Sequence, residues 1–152
     1  VSAAGARAWR RAGALCLLVL VLDQVAKAVV EANLFAGEHV ELLGPVDLTL
    51  AHNEGVAFGL ASGGGALLIA LTLAALVFIG VVFARHPTRP GMWVAVGLLA
   101  GGALGNLIDR IRVGHVTDFV DVLSWPPFNL ADVAITLGVA VLALSYVVEA
   151  ER

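Results

Sequence analysis

Asp118, in the stretch GHVTDFVD, and Asp132, in FNLADVAITLG, are the residues of this sequence best suited to chemistry without a cofactor. Two carboxylates brought close together cannot both ionise cheaply, so such a pair holds one proton between them. One member can then deprotonate a water while the other protonates a carbonyl oxygen or a leaving amine. That is the aspartic-protease arrangement, and it needs neither a metal nor a nucleophilic side chain. Asp121 competes with Asp118 for the role, and Asp109 lies near enough in sequence to reach the same place. The competing structural reading has Asp132 capping its segment or pairing with Arg110 or Arg112.

Other chemistries find little support. There is no H-E-x-x-H run and no cysteine cluster, so no zinc site is expected. Ser62, in GLASGGG, lacks the G-x-S-x-G elbow of a serine nucleophile. The four histidines, His39, His52, His86 and His115, are scattered, and no glycine-rich phosphate loop is present, so no cofactor is expected. The net charge of -3 and the absence of a long basic run argue against a nucleic-acid partner. Cys16 is the only cysteine, which excludes an internal disulfide.

The elements that must position the two aspartates are membrane helices. Hydrophobic residues make up 60% of the 152 and charged ones only 14%, against about a quarter charged in soluble domains. Mean hydropathy is +0.95. A soluble fold of this size could not hide that much apolar surface, so the sequence predicts an all-α integral membrane protein forming one membrane domain. Its spans lie at about 12–30, 66–84, 91–108 and 129–148, each near the ~20 residues that cross the hydrocarbon. Arg7, Arg10 and Arg11 precede the first span, and Arg85 and Arg89 follow the second. The positive-inside rule places both groups in the cytoplasm, leaving both termini inside and segments 33–65 and 109–127 outside. Within the first outer segment, HVELLGPVDLTLAHN partly alternates and predicts a small strand-rich extracytoplasmic element. Basic residues ahead of the first apolar run also suit a cleaved signal peptide, but DQVAKAVVEAN offers no small-x-small site.

This topology delivers Asp118, in the loop between spans three and four, and Asp132, near the outer end of span four, to one side of the membrane. Asp23 and Lys27 interrupt the first span at i, i+4 and read as a structural pair, with Lys27 snorkelling toward the outer interface. Gly97, Gly101 and Gly105 in the third span suit close helix packing, and Gly63, Gly64 and Gly65 a flexible entry to the second. Asp23, Lys27 and Asp132 could instead form the relay of a proton-coupled carrier. Against a relay, the inner halves of spans two to four carry no charge. A passive scaffold would need none of these polar residues.

Taken in order, LDQVAKAVV, HNEGVAFG, GNLIDRIRVGHVTDFVD and FNLADVAITLG form a series that resembles the bacterial lipoprotein signal peptidases, from Asp23 to about Gly138. The resemblance implies a four-span aspartyl endopeptidase that removes signal peptides from prolipoproteins, cutting before a cysteine that already carries diacylglycerol. It implies Asp118 and Asp132 as the catalytic pair, which selects Asp118 over Asp121. Asn53 and Gly55 match the family's N-x-G, Asn106, Asp109 and Arg110 its G-N-x-x-D-R, and Phe128, Asn129 and Ala131 the approach to the second aspartate. These residues are expected to orient substrate and fix the pair. Asp23 and Lys27 match the first-span pair. Glu54 and Val56 occupy places where the family varies. The implied setting is the bacterial cytoplasmic (inner) membrane, with the site at its outer face and lipid and lipidated prolipoprotein as partners; nothing in the sequence requires more than a monomer.

Overall fold

The computed structural model describes residues 2–55, 64–123 and 125–150; Val56, Ser62 and Gly63, singled out above, lie outside them. The elements in chain order are α1 (Ala3–Asn33), β1 (His39–Leu43), β2 (Val46–Asn53), α2 (Gly64–Arg85), α3 (Met92–Val113), β3 (Val116–Val122), β4 (Trp125–Phe128) and α4 (Leu130–Ala150). The helices are the four expected apolar segments, each long and apolar enough to cross a membrane. In hydrocarbon a helix satisfies every backbone hydrogen bond internally, which is why uninterrupted apolar runs take this form. At 31 residues α1 exceeds what a span requires, so its first turns carry Arg7, Arg10 and Arg11 beyond the apolar stretch.

Helix α3 is the centre of the bundle: 61% of its span is buried, against 22% for α1 and α4 and 6% for α2. Glycines make that position available. A Cβ on Gly97 would lie 3.0 Å from the Ala12 carbonyl oxygen, and one on Gly101 2.8 Å from that of Cys16, so α1 packs directly on the α3 backbone. Gly102 does the same for α4, where a Cβ would lie 2.5 Å from the Ala131 oxygen. The expected role of the glycine series in close packing is met. Outward-facing Leu17, Leu18, Leu71, Phe78, Leu137 and Leu144 are all exposed, as a lipid-facing surface requires.

At the end of the bundle holding the C-terminus of α1 sits one antiparallel sheet, ordered β1-β2-β3-β4. Val30, Leu50 and Phe119 pack together and dock it on α1. Gly44, at φ 56, makes the turn between β1 and β2. The sheet is larger than the sequence suggested, because the second outer segment, read above as a loop, supplies β3 and β4. Asp118 therefore stands in a strand. Four successive β3 residues, Val116 to Phe119, are buried, so this strand lacks the alternation by which a half-exposed strand is recognised. Pro126 and Pro127 hide β4 in the same way, and they are tolerated because β4 is an edge strand.

Candidate active site

Asn129 stands immediately before α4 and joins the two aspartates. Its Oδ1 accepts a hydrogen bond from the Asp132 N–H at 2.9 Å, and its own N–H donates to Asp132 Oδ2 at 3.2 Å. This reciprocal pair is a capping box, which satisfies orphan donors at a helix start and locks the third helical residue in place. The Asn129 side-chain Nδ2 donates to Asp118 Oδ1 at 2.6 Å. One buried amide thus fixes a carboxylate on β3 and another on α4.

Each aspartate has a second amide donor. Asn106, on α3, donates from Nδ2 to Asp132 Oδ1 at 2.9 Å. Asn53, at the end of β2, donates from Nδ2 to Asp118 Oδ2 at 2.9 Å. The aim of Asn53 depends on Gly55, whose N–H donates to Asn53 Oδ1 at 2.9 Å while its φ is +72°. Such an Asx turn needs a residue at ease in the left-handed region, so the glycine two positions after the asparagine has a mechanical reason.

Beneath this layer lies a buried charged cluster. Lys27 Nζ makes ion pairs with Asp23 Oδ2 at 2.8 Å and Asp109 Oδ2 at 2.7 Å, and donates to Asn106 Oδ1 at 2.9 Å. Asp23 Oδ1 accepts from the Ala131 N–H at 2.9 Å, which ties the first turn of α4 to α1. Gly105 leaves room for this: a Cβ there would lie 2.5 Å from Asp23 Oδ2. The expected snorkelling of Lys27 is not observed, since the residue is 2% exposed. Two carboxylates and an amide oxygen hold the ammonium inside.

Burial pushes the Asp118 carboxyl up to about 6. The Asn53 hydrogen bond opposes this, the charge of Asp132 adds to it, and Asn129 and Lys27 oppose it further. Asp132 faces a cleft of about 260 Å³ lined by Trp125, Phe128, Val133, Thr136 and Leu137, a mostly apolar trough running along α4. A protonatable carboxylate in a strand, a second carboxylate at a helix start and an apolar trough beside them suit hydrolysis of an extended apolar peptide at membrane level.

The sequence matches the signal peptidase (SPase) II family over residues 15–148. The chain belongs to that family. Its signal peptidase II relatives include a lipoprotein signal peptidase of Moorella thermoacetica, 42% identical over 130 residues that cover 84% of this chain and 87% of that protein. One from Caulobacter vibrioides is 44% identical over 141 residues, covering 86% and 83%. A bacterial membrane enzyme solved by the in meso method at 2.3 Å resolution superposes with a TM-score of 0.84 at 30% identity, covering 91% of this chain and 88% of that one.

Within this signal peptidase II fold, Asp118, Asp132, Asn53, Gly55, Asn106, Asp109, Ala131, Asn129, Asp23 and Lys27 all fall in one connected network. Phe128 lines the trough. Asp121 lies elsewhere, paired with His39 at 3.4 Å on the outer part of the sheet. No ion pair joins Asp132 to Arg110 or Arg112 among the described residues; its oxygens go to Asn106 and Asn129. Arg110 reaches only the Asn106 carbonyl oxygen, at 3.5 Å, and its Nε is buried without a hydrogen-bond partner among the described residues.

Three contributors escaped the sequence reading. Gln24 donates from Nε2 to Asp109 Oδ1 at 2.9 Å and to the Gly105 oxygen at 3.3 Å, binding α1 to α3 beside the ion pairs. A glutamine inside an apolar run was the available signal. Thr117 donates from Oγ1 to Glu31 Oε1 at 2.5 Å and from its N–H to Asp109 Oδ2 at 3.4 Å, holding β3 where Asp118 needs it. Neither Thr117 nor Glu31 carries a signal in the sequence, because their meeting depends on the sheet docking.

Proposed function

We propose that this chain removes signal peptides from diacylglyceryl-modified prolipoproteins, cutting before the lipidated cysteine with water activated by Asp118 and Asp132. The observation that carries this reading is the sharing of Asn129 by the two aspartates at the rim of an apolar trough. Family membership and the relatives named as lipoprotein signal peptidases supply the substrate class.

In the proposed reaction Asp118 starts protonated, in keeping with a carboxyl raised to about 6, and Asp132 serves as the base. Asp132 lies in the first turn of α4. It takes a proton from water as the oxygen attacks the scissile carbonyl carbon. Asp118 gives its proton to the carbonyl oxygen, which produces a neutral gem-diol. Asp132 then returns its proton to the amide nitrogen and the C–N bond breaks. The amine of the lipidated cysteine leaves, and a diol proton passes to Asp118 as the new carboxyl forms. Arg110, whose buried Nε–H has no hydrogen-bond partner among the described residues, is the proposed donor to a substrate backbone carbonyl.

The proposed orientation has both termini in the cytoplasm and the dyad at the outer face of a bacterial inner membrane. Arg7, Arg10, Arg11, Arg85 and Arg89 all stand at the end of the bundle away from Asp132, which supports it. Substrate acyl chains would remain at membrane level beside Trp125, Phe128 and Leu137. Every group of the dyad comes from one chain, so we read the working unit as a monomer. The test offers the purified protein a prolipoprotein with and without its diacylglyceryl group and follows cleavage by gel shift. Cleavage of the lipidated form alone supports the reading; equal cleavage of both, or of neither by folded protein, refutes it.

A further inference from the structure

Turns between strands ordinarily expose Gly, Pro, Asn, Asp or Ser. The two turns at one end of this sheet expose large apolar side chains as well. Leu42 and Leu43 lead into Gly44 and Pro45 between β1 and β2, and Leu123 and Trp125 flank the β3–β4 turn. The Leu123 N–H donates to the Pro45 carbonyl oxygen at 3.3 Å, which joins the two turns into one tip. Leu43 is 82% exposed, Leu123 79%, Trp125 69% and Leu42 55%, so the tip is an open apolar surface. Leu123 stands at φ +55°, a left-handed conformation that suits Gly or Asn. The chain thus bears backbone strain at a position that projects an aliphatic side chain outward.

The tip continues the lipid-facing surface of α4. Trp125 lines the trough with Thr136 and Leu137, about two turns along α4 from Leu130. Val133 and Leu137 are exposed on that membrane-spanning helix, so Trp125 carries the same apolar surface outward to Leu123 and Leu43. Residues 42–46 and 122–128 hold no charged side chain. Immediately behind them Glu41 pairs in register with Asp47, and Asp47 with Asp121. One acidic row therefore crosses three strands at a single level, with the apolar tip beyond it. Val46, at the tip, lies about 23 Å along β2 from Asn53, where the chain leaves for α2. The edge strands β1 and β4 carry backbone groups that hydrocarbon does not tolerate, so the sheet can enter lipid by its tip alone.

We propose that this tip dips into the bilayer leaflet on the Asp132 side. Leu42, Leu43, Leu123 and Trp125 lie among the upper acyl carbons, and Glu41, Asp47 and Asp121 stay at the level of head groups and water. The partner is the lipid surface, engaged by apolar contact and placed by the tryptophan at its interface. The sheet that carries Asp118 is then held from two sides, by Val30, Leu50 and Phe119 against α1 and by lipid beneath the tip. Neither the chemistry of the dyad nor the assignment of that leaflet to the outer face enters this inference.

The test places a single nitroxide on the full chain in a Cys16→Ala background, at Leu43→Cys, Leu123→Cys, His39→Cys or Leu144→Cys, in phosphatidylcholine vesicles. All four positions are exposed, so the substitutions leave the packing beneath them in place. Spin relaxation by oxygen, which concentrates in hydrocarbon, is compared with relaxation by a water-soluble nickel chelate. The labels at 43 and 123 are expected about 5–10 Å below the head groups. The label at 144 marks the hydrocarbon, and the one at 39, on the far side of the acidic row, should meet the nickel chelate freely. Labels at 43 and 123 as open to nickel as the one at 39 would overturn the proposal. So would spin–spin broadening at either position that dilution with unlabelled chain relieves, since a second copy would then cover the tip.

Discussion

Replacing Asn53 by alanine should move the alkaline limb of the pH–rate profile upward, although it removes a residue that supports the dyad. In the native site the Asn53 amide donates to Asp118 Oδ2 at 2.9 Å and opposes the rise that burial imposes on that carboxyl. A hydrogen bond to an ionised group contributes about 1.5–3 kcal/mol, and one pKa unit corresponds to about 1.36 kcal/mol. Loss of the donor should therefore raise the limb by about one to two pH units. With Asp118 near 6 in the wild type, the protonated fraction at pH 5 is about ten times that at pH 7. The assay is kcat/KM for a lipidated prolipoprotein in detergent between pH 4.5 and 9, scored by the position of the limb rather than its height. A limb that stays in place or moves down would refute the assignment of Asp118 as the proton donor.

Three other perturbations follow from the same geometry. Asp118→Asn should stabilise the protein at pH 8 by up to about 3 kcal/mol in chemical unfolding, with the difference vanishing near pH 4. The sign follows because a carboxyl raised to about 6 binds more protons folded than unfolded between pH 3.8 and 6, so its contribution worsens as pH rises through that window. Lys27→Met leaves Asp23 and Asp109 buried without their cation and should cost about 3–5 kcal/mol. Adding Asp109→Asn should recover part of that loss, and additive effects in the double-mutant cycle would count against a coupled cluster. Gly55→Ala forces a side chain into φ +72°, which should cost about 1–2 kcal/mol of stability and also lower kcat of the folded enzyme. Unchanged kcat would show that the Asx turn does not aim Asn53.

Legibility in the sequence followed the strength of the local signal. Four apolar runs between charged or proline-bearing connections announce the helices, because hydrocarbon permits few other structures. The alternation around Glu41 and Asp47 announced β1 and β2. Strand β3 was invisible since Val116 to Phe119 are buried without alternation, and β4 since two of its four residues are proline. The polar network shows the same divide. Asp23 and Lys27 were readable as a pair from i, i+4 spacing, but the depth of Lys27 depends on Asp109 and Asn106 arriving from α3, 79 or more residues away. Asn129 carried a motif match without any hint that it would bridge β3 and α4. That function exists only once the sheet docks on the bundle through Val30, Leu50 and Phe119.

The central claim is that Asp118 and Asp132 together activate the water that cuts the substrate. Its most direct measurement is the single-turnover rate on a lipidated prolipoprotein for the wild type, Asp118→Asn, Asp132→Asn and the double variant. Each protein is first shown by circular dichroism to keep its helices. Two residues acting as one unit give strongly non-additive losses. The account predicts a fall of at least a thousandfold for either single variant and little further loss in the double. A folded single variant that cuts at the wild-type rate, or two modest losses that multiply, would contradict it.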